Sequence, residues 1–203
     1  FAQNHICLIK ELDLNGLDKR AFTQSYYDCL SQIPYEKESD VTLFLAPIEG
    51  RDSMRAISET MNQSAFVDVA AHRFSNRDLI SALKRFIDLR TPSALRLFFD
   101  DDMFWSTMDR RGFGNQDRNE ARIVNDFIDL RVYPKYAQTD HNERLLHHNK
   151  FILFRDENLQ PIALQTGAGN LTNNGFKRNF ENFYFITRPD VLEAYSAQYN
   201  YLY

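Results

Sequence analysis

The sequence predicts an α/β fold in which a mixed, largely parallel central sheet is flanked by helices on both faces. Near-continuous apolar runs, typical of strands buried on both faces, alternate with segments of about 10–15 residues that have helical apolar spacing. This alternation indicates parallel strands joined through helices. Toward the C-terminus, apolar runs follow one another without a helix between them, which indicates an antiparallel part of the sheet.

The first strand and the first helix of the domain have clear signals. The run at 41–46 is near-continuously apolar and stops at Pro47, which cannot donate a hydrogen bond to a sheet. After it, Met54, Ile57 and Met61 recur at helical spacing within a helix predicted over 51–63. The other predicted strands are at 65–71, 94–99, 151–154, 161–165 and 183–187.

The later helices are recognised by their starts and by their apolar faces. Ser75 supplies a hydroxyl cap with Asp78 three residues on, and an apolar face follows at 79–87. A further helix is predicted at 119–130 from its inward-facing apolar residues. Pro189 stands at a favoured first-turn position of the last helix.

Residues 1–40 are expected to form an N-terminal extension packed on the domain that spans residues 41–203. The extension has a predicted strand at His5–Ile9 and a predicted helix at Leu17–Leu30. Because the chain begins with Phe1 and not with Met, we expect that a preceding segment was removed. Both a cleaved secretion signal and a trimmed chain fit, and a secreted or periplasmic protein is favoured over a cytoplasmic one.

Composition indicates a folded globular domain. The 203 residues include 17 Phe, 10 Tyr and one Trp at a net charge of −4, which excludes a disordered chain. No apolar stretch approaches the ~20 residues of a membrane-spanning helix.

Cys7 and Cys29 either form one disulfide in an oxidising compartment or remain two thiols. The acidic balance argues against binding nucleic acid by bulk charge, but five basic and two acidic residues from Arg144 to Arg178 give that segment a net charge of +3.

Four polar residues near the C-terminus form a candidate phosphate site. In an extended chain His148 and Lys150 point to the same face, where the ammonium can hold a phosphate oxygen and the imidazole can act as nucleophile or acid–base group. Asn170 ends a glycine-rich bend, and its amide can donate to an anion. Glu181 enters the following apolar strand, where a buried carboxylate needs a partner such as an imidazole.

Three further residues are candidate substrate-binding groups. Gly167 and Gly169 belong to the bend before Asn170, where backbone N–H groups can approach an anion closely. His72 follows the strand at 65–71, at the carboxyl end where open α/β sheets bind ligands. His72 therefore either lines the pocket or is a satisfied polar residue.

A metal site is not favoured. No cysteine joins the nearby acidic residues and histidines, and adjacent histidines on a strand point to opposite faces. The residues concerned are Asp140, His141, His147 and His148. The run Asp100–Asp102 is more typical of a solvated loop or a helix cap than of a cluster that binds a divalent ion.

Taken in order, the motifs resemble the phospholipase D superfamily, whose signature is His-x-Lys, an Asp shortly after it, Gly-Ser-x-Asn and a later Glu. Here they read His148-x-Lys150, Gly167-Ala-Gly-Asn170 and Asn179-x-Glu181. The resemblance also includes the strand that ends at Pro47 and the closing aromatic helix, so it covers about 160 of the 203 residues. It implies that residues 41–203 are a phospholipase D-like catalytic domain.

Two positions depart from the family pattern. The Asp that usually stands five residues after the Lys is Arg155 here, and Asp156 follows one place later. Either Asp156 takes the supporting role of that Asp through a shifted turn, or the support is lost. The Ser of Gly-Ser-x-Asn is Ala168, which removes one hydroxyl donor near the phosphate and leaves the proposed nucleophile in place.

The resemblance implies a metal-independent phosphodiesterase without a cofactor. The family's chemistry uses two copies of the motif and this chain has one, so a homodimer sharing one active site on its two-fold axis is implied. One His148 would attack phosphorus and form a phosphohistidine, and the other would protonate the leaving oxygen. Lys150 and Asn170 would stabilise the phosphoryl oxygens, and Glu181 would orient the imidazole.

A nuclease that hydrolyses DNA or RNA is the leading hypothesis for the substrate. Small members of the superfamily with a single motif are often dimeric endonucleases, and the local charge of +3 can follow a phosphate backbone. One alternative is a phospholipase D or phosphatidyl transferase that acts on phospholipid headgroups. Another is a non-catalytic phosphate-binding module, which Ala168 and the shifted Asp156 would explain.

Overall fold

In the part of the chain that the structure describes, a seven-stranded mixed sheet has helices on both faces. The computed structural model describes residues 40–101, 103, 117–137 and 147–203. The strands are β1 (Val41–Ala46), β2 (Phe66–Ala71), β3 (Leu95–Asp100), β4 (Lys135–Ala137), β5 (Lys150–Arg155), β6 (Pro161–Gly167) and β7 (Glu181–Ile186). The helices are α1 (Gly50–Gln63), α2 (Arg77–Leu89), α3 (Asp117–Asp129), α4 (Asn173–Lys177) and α5 (Pro189–Leu202), with a 3-10 turn at Pro92–Ala94.

The sheet is mixed, as predicted, but its parallel part is smaller than the alternation of strands and helices suggests. The strand order is β1-β7-β6-β5-β2-β3-β4. The pairs β2–β3 and β3–β4 are parallel, whereas the other four neighbouring pairs are antiparallel. The reason is that β5 lies antiparallel beside β2, and the strands beyond it continue in alternating directions.

The alternation of side chains gives each face of the sheet its own core. On one face, Val67 and Val69 of β2 belong to an apolar cluster with residues of α1, α2 and α3. On the other face, Leu153 of β5 packs with Leu192 and Tyr199 of α5. The prediction of helices on both faces of the sheet is confirmed.

The helix starts explain how the loop after β2 is fixed. The capping side chain of α2 is Asn76, not Ser75, because Asn76 Oδ1 accepts the N–H of Leu79 at 2.9 Å. The backbone N–H of Ser75 instead donates to the carbonyl oxygen of Leu171 at 3.0 Å.

Pro189 lies in the first turn of α5, as predicted. The short elements β4 and α4 were not predicted, because three to five residues are too few to show a period.

Several strand ends meet at one edge of the sheet and bring the sequence motifs together. Lys150 at the start of β5 pairs with Ala71 at the end of β2. The end of β6 lies beside the start of β5, and Gly167 of β6 pairs with Phe183 near the start of β7. The histidine–lysine, glycine–asparagine and glutamate motifs therefore share this edge.

Some predictions fall on residues outside the described ranges. These are the extension at residues 1–39 with its strand and helix, the two cysteines, Asp102, Asp140 and His141. Among the helices of the described ranges, none is long and apolar enough to cross a membrane.

Candidate active site

His148 and Lys150 are in direct contact at the start of β5, as the alternation of an extended chain predicts. The ammonium Nζ of Lys150 lies 2.9 Å from Nδ1 of His148 and donates to the His148 carbonyl oxygen, also at 2.9 Å. An ammonium group has only donors, so Nδ1 presents its lone pair to it. In the free protein the proton of a neutral His148 ring is therefore assigned to Nε2.

Lys150 is a buried cation. It is 7% exposed, and burial lowers its pKa, while the charge of Glu181 acts in the opposite direction. Among the described residues, no carboxylate forms an ion pair with it. Its hydrogen-bond partners are the neutral acceptors of His148. A buried charge without a counter-charge costs free energy, so an anion that enters beside Lys150 would be stabilised.

His148 is exposed, and its surroundings favour the neutral imidazole. Burial, followed by the charge of Lys150, lowers its pKa, and Asp100 opposes that shift. A neutral ring has a nitrogen lone pair, which a nucleophile or a general base needs.

His72 lies against His148. The two ring centroids are 4.8 Å apart with the ring planes inclined at 54°. The backbone N–H of His72 donates to the carbonyl oxygen of Asn149 at 2.9 Å, which fixes the end of β2 beside the His148 segment. Burial, followed by the charges of Arg73, His148 and Lys150, lowers the pKa of His72 to about 4. The ring is therefore neutral at physiological pH.

Asn170 also lies close to His72. A parallel bridge between Phe74 and Leu171 joins the loop after β2 to the residue that follows Asn170. The Asn170 amide raises the pKa of His72, although the buried atoms His72 Nδ1 and Asn170 Oδ1 form no hydrogen bond within normal limits. Helix α4 supports the turn from behind, because a Cβ on Gly175 would lie 2.2 Å from the Asn170 carbonyl oxygen.

Gly167 and Gly169 permit a close approach between the bend and β7. A Cβ on Gly167 would lie 2.1 Å from the carbonyl oxygen of Asn182, and one on Gly169 would lie 2.4 Å from the Phe183 ring and 3.1 Å from Cβ of Glu181. The absence of these side chains brings Glu181 next to the bend. Glu181 accepts a hydrogen bond from the Asn179 amide at 3.3 Å, and its charge acts on Lys150 and not detectably on His148.

Asp156 and Arg155 lie at the far end of β5 from Lys150. Asp156 Oδ1 accepts the backbone N–H groups of Asn158 and Gln160 at 2.9 and 2.8 Å, so it stabilises the turn between β5 and β6. Arg155 donates to the fully buried carboxylate of Asp68 on the neighbouring strand at 2.6 Å. The acid that the family has on this strand is thus replaced here by an arginine that binds a carboxylate from β2.

Asp100 is a structural residue of the site that the sequence did not reveal. Of the two alternatives for the run Asp100–Asp102, a solvated loop or a helix cap, the solvated loop does not hold for Asp100, which is fully buried and whose Oδ2 accepts the backbone N–H of His147 at 2.6 Å. His147 itself is buried with its ring edge-on to Phe98 at 4.9 Å. Burial, followed by the charges of Lys150 and His148, lowers the pKa of His147 to about 4. Among the described residues, no group of three or more His, Cys, Asp or Glu side chains is arranged to hold a metal ion.

A polar cleft opens beside His72 and Asn170. It has a volume of about 940 Å³ and is lined mainly by charged, hydroxyl and amide side chains of α2, α3 and residues 170–179. Glu120 in its wall was not predicted as a functional residue. Its carboxylate accepts Nη1 of Arg73 at 3.0 Å and the backbone N–H of Phe74 at 3.2 Å, which anchors the loop after β2. His72 and Asn170 line the cleft, and the ring of His72 also lies against the ring of His148.

An α/β domain with a histidine–lysine pair, an asparagine turn and a glutamate at one sheet edge has the elements of a phosphoryl-group site. The comparison with protein families agrees with this class. Residues 57–203 match the family described as "Cardiolipin synthase, PLD-like domain", and the chain belongs to this family of the phospholipase D superfamily. No curated protein matches the sequence.

Solved structures of the same superfamily share the fold. Nuc from Salmonella typhimurium, a phospholipase D family member, gives a TM-score of 0.58 at 17% identity over 80% of this chain and 92% of Nuc. NucT from Helicobacter pylori gives 0.55 at 15% identity over 80% of this chain and 94% of NucT. Phosphatidylserine synthase from Haemophilus influenzae gives 0.55 at 12% identity over 92% of this chain and 46% of the synthase. The predicted superfamily and fold class are confirmed, and the chain has a phosphodiesterase fold.

Proposed function

We propose that this protein is a metal-independent phosphodiesterase that hydrolyses DNA or RNA through a phosphohistidine intermediate, in an active site shared by two copies of the chain. The main support is the buried ammonium of Lys150, which contacts the exposed imidazole of His148 and forms no ion pair with a described carboxylate. A phosphodiester would supply the missing anion directly beside a nucleophile.

In the first step, phosphate binding prepares the His148 ring. A phosphate oxygen accepts a hydrogen bond from the Lys150 ammonium and draws the ammonium away from Nδ1 of His148. The ring proton then moves from Nε2 to Nδ1 through solvent, so that Nε2 has a free lone pair. Nε2 attacks phosphorus, the N–P bond forms, and the bond from phosphorus to the leaving oxygen breaks. Lys150 and the Asn170 amide stabilise the phosphoryl oxygens, and Glu181 is proposed as the residue that orients the imidazole.

A second imidazole, protonated from solvent and stabilised as the imidazolium by the bound phosphate anion, is needed to protonate the leaving oxygen. We assign this role to His148 of the second copy, because the described residues contain one His-x-Lys motif. The same imidazole, now neutral, takes a proton from water, whose oxygen bonds to phosphorus as the N–P bond breaks. The ammonium and amide groups supply the positive charge and the donors, so the proposed reaction needs no metal ion.

The cleft beside the site favours nucleic acid over lipid. Its lining is mainly charged, hydroxyl and amide side chains, which suit phosphates and sugars better than acyl chains. His72, which lines the cleft, and Gly167 and Gly169 of the neighbouring bend are proposed to contribute to substrate binding. A phospholipase D or phosphatidyl transferase is the second candidate, since the matched family is described as cardiolipin synthase and one similar structure is a phosphatidylserine synthase.

The test offers plasmid, single-stranded DNA, RNA and a labelled phospholipid to the purified protein in the presence of EDTA. We expect cleavage of nucleic acid, and we expect it to vanish in His148→Ala with no loss of folding. His147→Gln is the matched control, because that neighbouring ring is buried against Phe98. Release of a lipid headgroup alone would favour the second candidate, and no turnover by a folded dimer would favour the phosphate-binding module.

The shared site has a test of its own. If both copies supply His148 to one centre, only dimers of two wild-type subunits are active. In mixtures of the wild type and His148→Ala whose subunits have exchanged, activity should therefore be proportional to the square of the wild-type fraction. A linear loss would contradict the shared site. An acid-labile phosphoryl group on His148, trapped from labelled substrate, would support the covalent intermediate.

A further inference from the structure

The positive charge of the polar cleft is unevenly neutralised. Its described lining includes four basic side chains, namely Arg73, Arg77, Lys84 and Arg122, and two acidic ones, namely Glu120 and Asp126. Each acid is occupied by one of the cations. Arg73 binds Glu120 at 3.0 Å, and Lys84 binds Asp126 at 2.7 Å. The charge that remains available to a ligand therefore belongs to Arg77 and Arg122.

Neither of these arginines is held by a described residue through its guanidinium. Both side chains are exposed, and no ion pair or side-chain hydrogen bond joins either one to another residue in the described ranges. They come from different helices, since Arg77 begins α2 and Arg122 lies in the first half of α3. Two unpaired guanidinium groups facing one cleft are suited to an oxyanion with several acceptor oxygens.

The first of these arginines is fixed relative to the reaction centre by the backbone. Its N–H donates to Oδ1 of Asn173 at 3.3 Å, and the N–H groups of Ser75 and Asn76 both donate to the Leu171 carbonyl oxygen at 3.0 Å. The start of α2 is thereby joined to the segment that directly follows Asn170. A phosphate bound by Arg77 would have a defined position with respect to a phosphate bound by Lys150 and Asn170.

The size of the cleft exceeds the needs of a single phosphodiester. At about 940 Å³ it lies near the upper end of the ~300–1,000 Å³ range of small-molecule sites. His72 and Asn170 are part of its lining, and so are the amide side chains of Asn173, Asn174 and Asn179. Donors without sequence preference along a positively charged wall are typical of contacts to a nucleic-acid backbone.

We propose that Arg77 and Arg122 form a second phosphate site, which binds a flanking phosphate of a polynucleotide while the His148 centre acts on the scissile one. This inference rests on the proposed nuclease function. It distinguishes a polynucleotide, which has phosphates at regular spacing, from a phospholipid with one phosphodiester in its headgroup.

The test compares two substrates that differ in the number of phosphates. A labelled oligonucleotide has flanking phosphates, whereas bis(p-nitrophenyl) phosphate has only the scissile one. In Arg77→Gln/Arg122→Gln we expect KM for the oligonucleotide to rise about tenfold or more, and the slope of log KM against log salt concentration to decrease by about one to two. Turnover of the small diester should be unchanged. Arg85→Gln is the matched control, because Arg85 is exposed on the same helix and does not line the cleft.

Three other results would each contradict the second phosphate site, and they differ in what else they contradict. Unchanged KM and salt slope for the oligonucleotide in the double variant would overturn the second site and leave the nuclease function standing. Cleavage of the small diester by a wild type that ignores the oligonucleotide would overturn the second site and the nuclease function, but not the phosphodiesterase centre. A wild type that cleaves neither substrate would overturn the proposed function and this inference with it.

Discussion

The two ends of β5 both place a cation in the interior of the fold, but within the described residues only one of these cations binds a carboxylate. At the start of the strand, Lys150 is 7% exposed and its side-chain partners are the neutral acceptors of His148. At the other end, Arg155 is 3% exposed and binds the fully buried Asp68 at 2.6 Å. Asp68 also binds Arg96 through both oxygens, at 2.6 and 2.7 Å.

The difference separates a structural charge from a functional one. A buried cation that has an anionic partner stabilises its own surroundings, and removal of the partner leaves an uncompensated charge. A buried cation with neutral partners is a cost to the folded state, and such groups are concentrated at sites that bind or transform ligands. Burial alone would not have distinguished Lys150 from Arg155. The distinction comes from their partners.

The largest effect is expected from Lys150→Met. We expect kcat for a diester substrate to fall by about 10²–10³-fold, since loss of one preorganised donor to a developing charge costs about that much. The free energy of unfolding in urea should stay the same or increase, because a buried charge without a carboxylate is removed. Kinetics on bis(p-nitrophenyl) phosphate together with urea unfolding measure both quantities. A loss of several kcal/mol in stability would place Lys150 in the same category as Arg155.

The opposite pattern is expected at the other end of the strand. Asp68→Ala should lower the free energy of unfolding by about 3–5 kcal/mol, because it leaves Arg155 buried without its carboxylate. The turnover number of the protein that remains folded should change little, since the cluster lies at the far end of β5 from His148. Thermal and urea unfolding measure the first effect. A specific activity that falls in step with Lys150→Met would show that the two ends of β5 are coupled.

Only part of the difference between the two ends of β5 could be predicted from the sequence. The strand around 151–154, the shared face of His148 and Lys150, and the convergence of three motifs could all be predicted, because they depend on local period and chain order. The carboxylate partner of Arg155 could not be predicted, since Asp68 lies 87 residues away and contacts Arg155 only because β2 pairs with β5. The sequence leaves open whether Asp156, the nearer acid, takes the supporting role or the support is lost; its carboxylate accepts two N–H groups of the turn between β5 and β6.

The cleft shows the same limit of sequence reasoning. The local charge of +3 was assigned to the segment from 144 to 178, yet the unpaired Arg77 and Arg122 lie on two helices outside it. Their availability depends on which acids are already occupied, and those ion pairs join positions more than 40 residues apart. Spacing reveals periodic structure and ordered motifs. It does not reveal which charges remain without a partner after folding.

An intermediate effect is expected from Glu181→Gln, which tests the site end of β5 without removing a cation. The variant should fold normally, because Glu181 is partly exposed and its described hydrogen bond is to the Asn179 amide. Turnover of the small diester should fall by about 10–10² fold, since a positioning residue contributes less than the nucleophile. The split between kcat and KM checks the role. Unfolding of the variant would mean that Glu181 is a structural residue like Asp68.

The smallest effect is expected from acid acting on the two buried or partly buried histidines at the site end, His72 and His147. His72 and His147 both have a pKa of about 4, lowered first by burial and then by nearby cations, whereas an unfolded histidine titrates near 6.5. Above pH ~6.5 both rings are neutral in either state, so no stability is lost there. Between pH ~6.5 and ~4 the two histidines bind protons in the unfolded chain but stay neutral in the folded chain, so the free energy of unfolding falls as the pH falls.

We expect the histidines to account for about 1–2 kcal/mol of that loss, less than their full shifts imply, because His72 is partly exposed and its charge is screened by solvent. Urea unfolding at pH 7 and pH 4.5 would be compared for the wild type and His72→Gln/His147→Gln, in which the carboxylates titrate alike. The double variant should lose less stability on acidification than the wild type. Equal losses would mean that acid acts through the carboxylates, and Asp68 at the other end of β5 would become the first residue to test.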